Sequence, residues 1–140
     1  MSLLKATAVE QLAKLQQGEI TAVDLTQAYL DAIAARDEAI GAYLSVRGQQ
    51  ALSQATDIDA RRSAGQPVGK LAGLPVAVKD ILCTRGAPTT CASRILENFT
   101  PPYDAHVITR LREEDAVFLG RANMDEFAMG STTQASAFQA

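Results

Sequence analysis

Every proline of this 140-residue chain lies between positions 67 and 102, whereas the first 64 residues contain none and carry fourteen alanines. Proline has no amide donor for an internal helical or sheet position, so the front of the chain is free to form long helices. The remainder is broken into short segments. The change near Gly65 divides the chain into a helical segment, 1–64, and an α/β portion, 65–140. With 47% hydrophobic and 21% charged residues, the chain has globular composition and must bury a core. Its longest apolar run, 71–78, is interrupted by Gly73 and Pro75 and ends at Lys79, too short to span a bilayer.

In the front segment, Thr7 followed three residues later by Glu10 forms a capping box, and Val9, Leu12, Ala13 and Leu15 give an apolar stripe ended by Gly18. Thr21 with Asp24 repeats the start signal. Leu25, Ala28, Tyr29, Ala32 and Ile33 then keep the three-four spacing of a second helix reaching about Arg36. A short strand over 42–46 and a third helix over 49–64, with Leu52, Ala55 and Ile58 on one side, complete this half. Beyond it, Leu74-Pro-Val-Ala-Val-Lys-Asp80 has the β-branched residues of a buried strand, with Ala77 and Lys79 on one face and Val76 and Val78 on the other. Residues 84–102 form a loop rich in Gly, Pro, Thr and Ser. Asp104 is placed to cap a helix through Glu114 with Val107, Ile108 and Leu111 inward, followed by a strand over 117–120 and a helical turn over 124–128.

Thirteen basic against sixteen acidic residues leave a net charge of -3, with no Lys/Arg stripe, which disfavours direct nucleic-acid binding. The start passes into an amphipathic pattern without the apolar core of a secretory signal, so a cytoplasmic location is expected. Cys83 and Cys91 with one histidine cannot assemble a four-ligand zinc site and are expected as reduced thiols. His106, the one histidine, sits at the edge of its helix's apolar face without a Gly-x-Ser-x-Gly elbow and reads as a surface residue. Asn123 and Glu126 have the spacing of a helix cap and its third residue, which explains the acids of 123–126 better than a catalytic carboxylate pair. The 65–70 segment lacks the spacing and hydroxyl of a phosphate loop. Lys79 stands out, because an ammonium ending an apolar strand must find a partner, lose its proton or reach water along its stem. The polar stretch Gly130-Ser131-Thr132-Thr133 is either an ordinary loop or one whose amides face a ligand.

Three segments taken together carry more information than any residue alone: Gly73-Leu-Pro-Val-Ala-Val-Lys-Asp80, Thr89-Thr-Cys-Ala-Ser-Arg-Ile-Leu-Glu-Asn-Phe-Thr-Pro-Pro-Tyr-Asp104 and Asn123-Met-Asp-Glu-Phe-Ala-Met-Gly-Ser131. In this order they resemble successive blocks of the amidase signature family. The resemblance implies the amino-terminal portion of that family's α/β fold, a mixed sheet flanked by helices and preceded by a helical segment. It also implies amide hydrolysis by a Ser, cis-Ser, Lys triad. Lys79 matches the lysine, which as a neutral amine would accept a proton through the bridging cis-serine and activate the nucleophilic serine. That role requires the depressed pKa that burial provides. Met129, Gly130 and Ser131 match positions that line the substrate pocket.

Both family serines belong to a Gly/Ser-rich block that would follow Ser131, and residues 1–140 contain none. Ser131 and Ser136 match the loop before that block, so 1–140 is expected to be inactive by itself. The middle and last blocks are most similar to the branch of the family that hydrolyses glutamine for tRNA-dependent amidotransfer. This implies ammonia supplied for converting glutamate on misacylated tRNA(Gln) to glutamine, in a heterotrimer with subunits B and C. It further implies tRNA bound through a partner, ATP and Mg used by the whole complex, and no cofactor in this chain. The alternatives are another amidase of the family acting on a different amide, or a non-catalytic fragment that docks a partner. Asp115 stands where a helix-ending glycine is common, and Asp tolerates the left-handed conformation. Thr132, Thr133 and Gln134 replace a more usual Ser-Thr-Glu run, and Gln139 replaces a glycine, which puts the local loop geometry in question.

Overall fold

The structure, a computed structural model, describes residues 3–139. Helix α1 spans Ala8–Gln17 and opens on the expected capping box: Glu10 N–H donates to Thr7 Oγ1, and Thr7 N–H donates to the Glu10 carboxylate at 2.7 Å. Its buried line is Gln11 and Leu15, while Val9, expected inward, is 77% exposed. The difference has a polar cause. Gln11 Nε2 donates to Leu3 O at 3.1 Å and to Tyr29 Oη at 2.9 Å, which turns the 11/15 face onto the next helix and leaves Val9 outside.

Helix α2, Ala22–Ile40, also opens on its expected box, Thr21 with Asp24. It runs four residues past Arg36 and stops where Gly41 takes the left-handed conformation. Asp37 then accepts the N–H groups of Ala42 and Tyr43 at 2.9 and 3.1 Å, aiming the chain into strand β1, Tyr43–Val46. Helix α3, Gly48–Ser63, buries Ala51, Ala55 and Ile58. Its Asp59 carboxylate accepts the amides of Ala22 and Val23 at 2.9 and 3.0 Å, placing negative charge at the positive end of α2.

Strand β2, Pro75–Lys79, helix α4, His106–Glu113, and strand β3, Val117–Ala122, follow. The sheet order is β1-β3-β2, with β2 parallel and β1 antiparallel to β3, the mixed sheet expected. Lys79 pairs with Ala122 at one end of the β2/β3 ladder. Val117 and Leu119 of β3 join Leu15, Leu25, Ala51, Ala55 and Ile58 in one core cluster, which therefore draws on both sides of Gly65. Among the described residues no helix is long and apolar enough to cross a membrane.

Asp104 does not cap α4. Its carboxylate accepts Arg85 N–H at 2.7 Å and Arg112 Nε at 3.1 Å instead, and the helix starts after Ala105 without a side-chain cap. Val107 is 44% exposed, so Ile108 is the buried anchor of this helix. Asp115 does take the left-handed conformation, with φ 60°. Its carboxylate binds Arg61 and accepts Gly69 N–H at 2.7 Å, and Glu114 accepts Lys70 N–H at 2.8 Å, so amides of the 65–70 segment are engaged internally. Burial pushes the Asp115 carboxyl up, but the Arg61 and Gly69 hydrogen bonds and the charges of Arg61 and Arg62 outweigh it and hold it below the usual value.

Gly120 is required by close approach: a Cβ there would lie 2.1 Å from Ser45 O on β1. Gly120→Ala is expected to displace β1 and cost about 3 kcal/mol, read as a lowered midpoint in chemical denaturation. An unchanged midpoint would show that β1 yields without penalty.

Candidate active site at the end of β2

Lys79 and Asp80 are adjacent and point to opposite sides, as strand geometry requires. Lys79 is exposed, whereas Asp80 is 1% exposed. The burial expected for Lys79 is thus not met among the described residues: Ala77 and Lys79 share the open face of the strand, with no layer packed over it.

Asp80 receives a dense set of donors. Arg121 Nε, from β3, donates to its Oδ1 at 3.0 Å, and Thr90 donates through both its amide, at 3.0 Å, and its hydroxyl. Arg121 is 3% exposed and spends its remaining donors on Thr84 Oγ1 and Leu82 O, both at 2.8 Å, and Thr89 Oγ1 at 3.1 Å. The pair and its neighbours close the loop after β2 onto the sheet. A cavity of about 270 Å³ lies on this side, bordered by Ser45, Asp80, Thr90, Arg121 and Phe138; Lys79 is not part of its lining.

The loop that folds over Asp80 carries Cys91 and Ala92 at φ 52° and 53°, and a second loop carries Phe127 and Ala128 at φ 51° and 60°. Non-glycine residues hold such backbone only where their surroundings over-determine it, and they gather at ligand-facing sites. Here the two loops fix each other: Phe127 N–H donates to Cys91 O at 2.9 Å and Ala137 N–H to Ala92 O at 3.0 Å. Cys83 and Cys91 are free and half-buried, as expected. Burial, then the charge of Asp80 and the neighbouring Cys83, push the Cys91 thiol up against the opposing pull of Arg121, which makes it a poor nucleophile.

The capping expected of Asn123 with Glu126 is not formed, and the short turn that follows has no side-chain cap. A short 3-10 turn covers Glu126–Ala128, preceded by Asp125, whose carboxylate accepts the amides of Thr132, Thr133 and Ala135 at 3.0, 2.9 and 3.0 Å. Those amide bonds, first Ala135 and then Thr133 and Thr132, with the nearby charge of Lys79, hold the Asp125 carboxyl below its usual value. Asn123 instead donates to Gly41 O and Gln139 O and accepts from Ser136 Oγ. Gln139 adds bonds to Gly41 O and Tyr43 O at 3.0 and 2.9 Å, so its side chain ties the loop to β1.

Met129, Gly130 and Ser131 lie exposed at the tip of this loop, and Met129 is 82% exposed. A Cβ on Gly130 would lie 2.5 Å from Asp125 Cγ, so glycine lets the tip fold back on the carboxylate. His106 is on the surface, as expected. Among the described residues no group of three or more His, Cys, Asp or Glu is arranged to hold a metal ion.

A family profile described as Amidase matches residues 24–140. The chain belongs to the amidase family. It is 52% identical over 132 residues to the A-type subunit of the glutamyl-tRNA(Gln) amidotransferase of Salinispora tropica, an alignment covering 94% of this chain and 27% of that relative. The corresponding A-type subunit from Thermotoga maritima superposes with a TM-score of 0.75 at 38% identity, over 99% of this chain and 27% of the other. A solved chain of a vestigial complex tied to the origins of an s-triazine catabolic enzyme superposes with a TM-score of 0.90 at 35% identity, covering 96% and 30%. This chain thus spans little more than a quarter of the length of these amidase relatives.

Arg121 was not singled out as a site residue by the sequence, although a lone arginine after Gly120 in a buried strand was the available signal. Removing Asp80's carboxylate leaves Arg121 buried and unpaired, so Asp80→Ala is expected to cost about 3–5 kcal/mol in denaturant unfolding. A loss under about 1 kcal/mol would mean that water or another acceptor replaces it. Because folded Asp125 titrates below its unfolded value of about 4, its hold on the loop is full above that range and is lost as pH falls through the lower folded value. The amide proton shifts of Thr132, Thr133 and Ala135 are expected to move together with a midpoint below that of an ordinary aspartate. A midpoint at or above the ordinary value would contradict this.

Proposed function

We propose that this chain is the amino-terminal part of the glutamine-hydrolysing component of a tRNA-dependent amidotransferase, with Lys79 as the base of a Ser, cis-Ser, Lys triad. The observation that carries the reading is the placement of Lys79: its side chain stands exposed at the carboxyl end of parallel strand β2, while the next residue is locked into the interior. Carboxyl ends of parallel strands are where α/β sheets gather ligands and catalytic groups. No hydrogen bond or ion pair among the described residues occupies the Lys79 ammonium.

In the complete protein, the two serines would come from a Gly/Ser-rich block beyond position 140 and would bring a covering layer over the open face. Acting as a base, Lys79 would take the proton of the nucleophilic serine through the bridging serine as the nucleophilic serine attacks the glutamine carboxamide. Collapse of the tetrahedral adduct would break the C–N bond and release ammonia, with the proton handed back to the leaving nitrogen, and water would then hydrolyse the remaining acyl-enzyme to glutamate and free serine. Met129, Gly130 and Ser131 would line the pocket. The ammonia would pass to the partner subunits B and C, where glutamate on tRNA(Gln) becomes glutamine. ATP and Mg, which the resemblance implies for the assembled complex, are assigned to a partner. The acidic groups here form no metal cluster among the described residues, and the Gly69 and Lys70 amides already serve Asp115 and Glu114.

In the complete complex, Lys79→Ala is expected to abolish glutamine-dependent amidation while free ammonia still supports the reaction, because only ammonia generation needs the triad. Equal loss of both activities would assign Lys79 a structural role. Residues 1–140 alone are expected to release no ammonia from glutamine. The higher TM-score to a chain that does not carry the amidotransferase name favours one other reading, an amidase of the same family acting on a different amide. Turnover of glutamine against simple and aryl amides by the complete enzyme separates the two.

A further inference from the structure

We propose that Asp80, Thr90 and Arg121 act together as a positioning unit that holds Lys79 in register with the 126–137 loop for the amide hydrolysis proposed above, a reading on which this inference rests. Every polar group of Asp80 is engaged. Its N–H donates to Ala122 O at 3.1 Å, its carbonyl accepts Cys91 N–H at 3.0 Å, and its carboxylate accepts from Arg121, Thr90 and, at 3.4 Å, Ala92. On the other side of the same peptide, Lys79 O accepts Leu82 N–H at 3.0 Å, and Lys79 pairs with Ala122 in the ladder. The backbone carrying the ammonium is therefore fixed from both directions, and only the lysine's own torsions remain free.

The segment that Asp80 clamps passes the constraint onward. Cys91 O and Ala92 O, on the two left-handed residues, receive Phe127 N–H and Ala137 N–H, which bracket Met129, Gly130 and Ser131. Thr90 is the hinge pin of this arrangement, because its hydroxyl both donates to Asp80 and accepts Ala92 N–H at 3.1 Å. A buried ion pair stabilises a fold no better than apolar residues of the same volume would, so its advantage here is directional. The fork of Arg121 reaches β2, the 82–84 turn and Thr89 at once, which a hydrophobic replacement could not do.

The test uses the complete protein in its complex and compares wild type, Lys79→Ala, Thr90→Val and Thr90→Ser. Valine keeps the volume of threonine and removes the hydroxyl; serine restores it. Thr90→Val is expected to lower kcat for glutamine hydrolysis about tenfold or more per folded molecule, since a misplacement near 1 Å can cost that much, with KM held within about twofold. Ammonia-dependent amidation should be unchanged, and Thr90→Ser should return kcat to within about threefold of wild type. An unchanged kcat in Thr90→Val, or a loss that only tracks the unfolded fraction in thermal melts, overturns the positioning role even if Lys79→Ala is inactive. Where Thr90→Val does not fold, Arg121→Lys, which keeps the charge and loses the fork, is measured by the same criteria. If Lys79→Ala still hydrolyses glutamine, the functional reading itself falls and the positioning role with it.

Discussion

A carboxylate and a guanidinium removed from water lose several kcal/mol of hydration each, and they stay charged in a fold only if they meet and their remaining hydrogen bonds are filled. Asp80 and Arg121 satisfy both conditions, with nearly all their donors and acceptors matched inside the protein. The pair joins strands β2 and β3 and closes the long loop after β2 over the sheet. The left-handed backbone at Cys91 and Ala92 is held from this point, and through it the second loop at 127–128. Several strained residues are thus supported by one desolvated interaction, which explains why polar residues are buried in a molecule so rich in alanine and leucine.

The helical front contributes to the same arrangement. Asp59 grips the start of α2, Asp37 steers its end into β1, and Gly120 lets β1 approach β3 closely enough to pair. Asn123 and Gln139 then bind the last loop back to the α2/β1 junction. Carboxylates and carboxamides recur at these joints because each accepts or donates several bonds at once and can satisfy the orphan backbone groups where regular elements stop. The division near Gly65 marks a change of texture along the chain, while a single core runs across it.

Much of the architecture is legible in the sequence because its signals are local. Thr7 with Glu10 and Thr21 with Asp24 lie three residues apart, so their capping boxes form wherever the rest of the chain goes. The alternation of 76–79 predicts which residues of β2 look outward. Other features depended on partners distant along the chain. Val9 fits the apolar stripe, yet the face of α1 is chosen by the bonds of Gln11 to Leu3 and Tyr29. Asp104 has the type and position of a cap, yet Arg85 and Arg112 compete for it successfully. At 123–126 the spacing pointed to Asn123 with Glu126, whereas Asp125, between them, gathers the loop amides.

By itself, the sequence determined the family, through three ordered blocks, and the elements whose periodicity and caps are set within a few residues. It also placed Lys79 and Asp80 on opposite sides of one strand, because that follows from the two-residue repeat alone. Only the tertiary structure decided what each of them meets. Arg121 lies 41 residues from Asp80, and no local pattern encodes that encounter, because it depends on the register of β2 against β3. The same folding left Lys79 on the open face, since none of the described elements packs over the Ala77 and Lys79 side of the strand.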